Sequence, residues 1–113
     1  MASTGLNGPY ALTDDSIDKT VLSNKIGAYA LGSVGQDGTF YVSYVGRSDE
    51  DVNKRLHQHI GENPQFKFEY FPTVKANYEK ECRLFHDFPN ARNLVHPKKP
   101  DNQAWLTCPI WGS

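Results

Sequence analysis

The sequence predicts an α/β chain of the α+β kind: a small three-stranded, antiparallel-type sheet flanked by helices in one domain. Three observations predict it. Two runs, residues 28–31 and 39–45, alternate apolar and polar side chains across a turn rich in Gly35, Asp37 and Gly38, the pattern of a β-hairpin. Val52, Leu56 and Ile60 then recur at helical spacing, followed by a third alternating run at residues 66–71 and a second long helical segment. The length of 113 residues with 38% hydrophobic side chains is enough for one core and hardly two.

Taken in order, residues 1–9 hold Ser, Thr, Asn, two Gly and a Pro without periodicity, and are expected to form a mobile arm. Within the arm, which extends to residue 25, Thr13 and Ser16 followed by Ile17, Val21 and Leu22 predict a short helix ending near Asn24. In the hairpin's second strand Phe40, Val42 and Tyr44 are expected on one face. Ser48 and Asp49 offer the cap of the next helix, which Gly61 should stop. Pro72 closes the third strand, Thr73 caps the last helix, and Pro89 ends it near Phe88. The core is therefore expected over residues 26–97. Beyond it, residues 98–113 read as an irregular, proline-containing tail whose Trp105, Leu106, Ile110 and Trp111 dock on the core.

The last helix carries an anomaly. At about 100 degrees per residue, Glu81 falls between Leu84 and Phe88 on one side and Phe85 and Tyr78 on the other, inside the apolar arc. A buried carboxylate without a partner costs several kcal/mol, roughly, so Glu81 should meet a cation, a donor network or a metal ion. Two readings are open: a structural salt bridge with an arginine, or ligation of a hard divalent ion such as Mg²⁺. Arg55 and His59, i and i+4 on one flank of the preceding helix, supply a candidate cation and a proton carrier able to act on one object, or else an ordinary polar flank. His57 and His86 fit the ordinary reading. The six tyrosines are all credible core residues by pattern.

Twelve basic and thirteen acidic residues give a net charge of −1, which argues against holding nucleic acid by bulk electrostatics. Cys82 and Cys108 are too few for a disulfide framework and are expected as free thiols. Without a long apolar run or a charged-then-apolar leader, no membrane association and a cytoplasmic, intracellular location are expected.

Gly27-Ala28-Tyr29 and Tyr44-Val45-Gly46-Arg47 on the hairpin, Arg55 and His59 on the next helix, Glu81 before Leu84-Phe85, and Asn93 before His96-Pro97 together resemble the GIY-YIG nuclease family. The likeness spans roughly residues 26–97, with Ala28 in place of the family's central isoleucine. It implies a metal-dependent endonuclease that hydrolyses nucleic-acid phosphodiesters, DNA by analogy, through a one-metal in-line mechanism. In that scheme Glu81 holds Mg²⁺ or Mn²⁺, Arg55 binds a transition-state phosphate oxygen, and Tyr29 or Tyr44 activates water with help from His59. Arg47 lowers a tyrosine's pKa or steadies the nucleophile, Gly46 and Arg47 line the substrate side, and Asn93 ties the tail to the site. Sequence preference would come from a separate DNA-recognition domain or protein. Two other readings stand beside this one: a nucleic-acid-binding or assembly module that kept the fold without catalysis, and a protein-interaction domain using Trp105, Ile110 and Trp111.

Overall fold

A computed structural model of the chain describes residues 4–88. Among them the order is β1 (Asn7–Ala11), α1 (Asp14–Thr20), β2 (Gly27–Val34), β3 (Phe40–Ser48), α2 (Val52–Gln58), β4 (Gln65–Tyr70) and α3 (Val74–Asp87). The expected strand, strand, helix, strand, helix succession is present as β2 to α3. The sheet, however, has four strands, ordered β1-β4-β2-β3 and antiparallel throughout.

The extra strand is made from residues expected to be a mobile arm. Asn7 and Tyr10 pair with Phe68 and Phe66 of β4, and Thr4 and Leu6 just before the strand are buried. No alternation announces β1 because it is a short outer strand broken by an irregularity between Asn7 and Tyr10. Pro9 is tolerated there, since an outer strand has one side on which no ladder donor is needed. Tyr10 fixes its position by packing on Phe66 and Phe68, with ring centroids 5.6 and 5.9 Å away.

β2 lies between β4 and β3, and residues 27–32 are buried on both faces. One face carries Tyr29 and Leu31 against Ile17 and Val21 from the α1 region and Val52 and Leu56 of α2. The other carries Ala28 and Ala30, which with Leu6, Val45 and Leu84 form the core beneath α3. The small alanines let that helix approach closely.

The expectation that Phe40, Val42 and Tyr44 share a face is corrected by a bulge. Leu31 pairs with Tyr44 but Gly32 pairs with Val42, leaving Ser43 as the extra residue. Phe40 and Val42 consequently pack on the α3 side, and Tyr44 turns to the face of Tyr29. A Cβ on Gly32 would overlap the Tyr41 carbonyl oxygen, so the bulge depends on glycine at that position.

Thr13 and Thr73 cap α1 and α3 as expected, their Oγ1 atoms accepting from Ser16 N at 3.2 Å and Ala76 N at 3.1 Å. The cap of α2 is Asp51, not Ser48 or Asp49, and its carboxylate accepts from Lys54 N. Ser48 instead ends β3, its Oγ accepting from Asp51 N at 2.9 Å. α1 ends at Thr20, short of Asn24, so Val21 packs inward while Leu22 is exposed. α2 ends at Gln58 rather than running to Gly61. Its last turn tightens through His59 N to Leu56 O at 3.0 Å, and Ile60 leaves the apolar face. The residues from Pro89 onward, including Asn93, Cys108 and the tail residues Trp105, Leu106, Ile110 and Trp111, lie outside the described residues. Among the described residues no helix is long and apolar enough to cross a membrane.

α1 is tied to α2 by His57, whose Nδ1 lies 2.6 Å from Asp14 and Nε2 2.9 Å from Asp18, so this histidine is more than a solvated flank residue. The hydrogen bond to Asp18 is the largest cause holding the His57 pKa above its ordinary value, with Asp14 adding to it, and the same bond holds Asp18 below the usual carboxylate range. The stabilisation from His57 is thus full below its unfolded pKa of about 6.5 and is lost as pH rises through the higher folded value. Thermal unfolding should show a component of the wild-type Tm that is lost as pH rises above about 6.5 and is absent in His57→Ala.

Candidate active site

Every described residue singled out from the sequence for chemistry lies along the inner half of β3 or on the elements packed against it. Tyr29 comes from β2, Tyr44, Gly46 and Arg47 from β3, Arg55 from α2, His59 from the cap of α2, and Glu81 from α3. β3 is an outer strand, and its register divides these residues between two faces. Tyr29 pairs with Gly46 and Leu31 with Tyr44 on the α2 side, whereas Arg47 pairs with Ala28 on the α3 side.

Gly46 is the thin point between them. A Cβ there would stand 2.5 Å from Tyr29 Oη and 2.6 Å from its Cζ. The Tyr29 ring therefore lies directly over the glycine backbone, and its hydroxyl comes out at the edge strand. Gly46, expected on the substrate side, is itself buried and serves here by making room for Tyr29.

On the α2 side, the Tyr29 hydroxyl is 2.8 Å from His59 Nε2. The Tyr44 ring packs on both, with centroids 6.5 Å from Tyr29 and 5.2 Å from His59. The Arg55 guanidinium, whose Nη1 donates to Gln58 Oε1 at 3.0 Å, acts on the same phenol through its charge. His59 thus meets Tyr29 through a hydrogen bond, and Arg55 bears on it through its charge. Burial is the largest influence on the phenol and raises its pKa, Tyr44 adds to the rise, and Arg55 opposes it. Tyr29 is fully buried, Tyr44 is half-buried and Arg55 is exposed, so the groups facing solvent are Tyr44 and Arg55.

On the α3 side, Glu81 points inward as its helical position requires, beside Asn77, Tyr78, Cys82 and Leu84. Its Oε1 accepts from Arg47 Nη1 at 2.6 Å, and Arg47 Nε donates to Asp49 at 3.0 Å. The guanidinium lies over the Tyr78 ring, 5.1 Å from its centroid. Burial lifts the Glu81 carboxyl above the usual range and Arg47 draws it back. For Arg47, burial opposes the charge, but Asp49 and Glu81 together hold its pKa above the ordinary value.

The cation in contact with Glu81 is therefore Arg47, which also lies over the Tyr78 ring, and the cation whose charge bears on Tyr29 is Arg55. Adjacent residues of a strand point to opposite faces. Tyr44 and Arg47 are separated by an odd number of positions, so Arg47 is carried away from Tyr29 and Tyr44. The two halves still sense each other electrostatically. Glu81 raises the pKa of both Tyr29 and Arg55.

Three participants were not singled out for chemistry from the sequence, Asp49 being expected there as a helix cap. Asn77 donates to Ser48 O at 2.9 Å and Asp49 Oδ1 at 3.1 Å, steadying the strand end that carries Arg47. It sits four residues before Glu81, and the same helical arithmetic that found Glu81 places it on the inner face. Asp49 and Glu62 are surface-type residues in turns, and periodicity gives no sign of them. Among the described residues no group of three or more His, Cys, Asp and Glu side chains is gathered as a metal site. No protein-family model matches the chain, and comparison with curated proteins and with solved structures gave no match.

Arg47 and Glu81 are each about one-tenth exposed, so the pair is a nearly buried one in which removal of one partner strands the other. Arg47→Ala should lower unfolding stability by about 3 kcal/mol. A double-mutant cycle with Glu81→Ala, read by urea denaturation, should give a coupling of at least about 1 kcal/mol.

Proposed function

We propose that this domain is a divalent-metal-dependent endonuclease acting on nucleic-acid phosphodiesters, with DNA as the first substrate to test. The observation that carries the reading is convergence. Two tyrosines, two arginines, a histidine and a carboxylate, drawn from two strands and two helices, meet across one edge strand at a glycine that leaves room for a phenol. Such a set contains a metal-compatible carboxylate, cations for a phosphate and groups that hold and move protons.

The residues fit a Mg²⁺ or Mn²⁺ ion at Glu81. Its carboxylate is a hard oxygen donor whose hydrogen bond to Arg47 uses Oε1, and its side chain keeps 11% exposure at the rim of the site. A bound divalent ion would supply Lewis-acid polarisation of the scissile phosphate. The chain's own residues would do the remainder. Arg47 orients the Glu81 carboxylate. The exposed Arg55 guanidinium binds a non-bridging phosphate oxygen and remains charged at any working pH. Tyr44 presents its phenol toward substrate, while Tyr29 and His59 behind it form the hydrogen-bonded pair through which a proton is held. A recognition element supplied by another domain or protein would set sequence preference.

A second reading is favoured by one specific contact. The Arg47–Glu81 pair satisfies the buried carboxylate without any metal, as a non-catalytic nucleic-acid-binding or assembly module would require.

The two readings separate in a cleavage assay on supercoiled plasmid and labelled single-stranded DNA with Mg²⁺, Mn²⁺ or EDTA. Metal-dependent cutting should fall by about a hundredfold or more in Glu81→Gln and in Arg55→Ala, with fold checked by circular dichroism. No cutting under any condition, with equal DNA binding by wild type and variants, would instead establish the non-catalytic module.

A further inference from the structure

His59 is an imidazole with a partner on each nitrogen. Nε2 lies 2.8 Å from the Tyr29 hydroxyl, and Nδ1 lies 3.0 Å from Glu62 Oε1. The Glu62 end of this chain has a fixed role, because a carboxylate can only accept. In the neutral imidazole the Nδ1–H therefore turns to Glu62, and Nε2 is left to accept the phenol proton of Tyr29. Both bonds run in one direction, Tyr29 to His59 to Glu62.

The backbone builds Glu62 into this position. α2 ends at Gln58 with His59 as its cap, Gly61 adopts φ 95°, and the amide of Glu62 donates back to His59 O at 3.0 Å. Ile60 and Asn63 then bridge, closing the turn around Glu62. A left-handed residue at position 61 is what brings residue 62 back over the imidazole, and glycine takes that conformation without strain. His59 is buried, whereas Glu62 keeps 42% side-chain exposure, so the carboxylate stands at the mouth of the chain.

We propose that Glu62 is a positioning residue: its carboxylate accepts the His59 Nδ1–H and so fixes the imidazole in the tautomer whose Nε2 lone pair faces the Tyr29 hydroxyl. A proton that leaves the Tyr29 oxygen then arrives at Nε2, Nδ1 keeps its own, and the resulting imidazolium stands against the Glu62 charge. The catalytic consequence rests on the nuclease reading above; the tautomer does not.

The test is a long-range proton–nitrogen correlation spectrum of ¹⁵N-labelled protein near pH 8.5, where an ordinary histidine is neutral. Wild type should show His59 with a protonated Nδ1 and a pyridine-like Nε2. Glu62→Ala should shift both nitrogens toward the averaged values of mixed tautomers, and Glu62→Gln, whose amide oxygen can still accept, should restore the wild-type pattern. If the nuclease reading holds, Glu62→Ala should also lower kcat about tenfold or more with KM little changed. A wild-type Nε2–H tautomer, or shifts that do not move in Glu62→Ala, would overturn the proposal. The expected shifts in a protein that cuts nothing would uphold the positioning role and reject the nuclease reading, so the two failures are distinguishable.

Discussion

Strand β2 is covered above and below, and that double burial constrains everything placed around it. With α3 on one face the strand carries alanine at positions 28 and 30, and with α1 and α2 on the other it carries Tyr29 and Leu31. Apolar contact on both sides supplies the main stabilisation of a sheet this small. It also means that the Tyr29 hydroxyl, buried with its ring, must be hydrogen-bonded within the protein. The bond to His59 follows from that need, and it places the cap of α2 at a fixed distance from the hairpin.

The same constraint explains why charge collects at β3. An outer strand is where polar side chains reach solvent on both faces of a sheet whose centre is dry. Arg47 lies on one face between Glu81 and Asp49, and Arg55 lies across the other against Tyr29. The two guanidiniums are held apart by the thickness of a strand that narrows to bare backbone at Gly46. Arg47 is already matched by two carboxylates and nearly buried, so the exposed Arg55 is the positive charge this edge presents to solvent.

Glu81 is placed by its helix before any partner is chosen. Its carboxylate needs a positive partner because α3 drives it inward, and Arg47 meets that need at 2.6 Å. A divalent ion would meet the same need with a larger charge, so salt bridge and metal ligation are alternative answers to one desolvation cost. The position of Glu81 is decided by packing in either case.

The sequence alone determined the hairpin, the succession of elements from β2 to α3, the caps at Thr13 and Thr73, and the inward turn of Glu81. Each is a local matter of period or of hydrogen bonding within a few residues. The likeness of Gly27-Ala28-Tyr29 and Tyr44-Val45-Gly46 to paired motifs singled out side chains that do come together across β2, β3, α2 and α3. Only the tertiary structure decided the rest. β1 exists because β4 offered an unpaired edge, which no pattern within residues 7–11 could announce. The bulge at Ser43 moved Tyr44 to the face of Tyr29, reversing a parity that simple alternation assigns otherwise. Which arginine meets which partner depended on strand parity and helix docking together, and the tightened end of α2 brought Glu62 to His59. Periodicity reports which face a residue takes relative to its own element, whereas pairing across elements is set by register and packing between segments far apart in the chain.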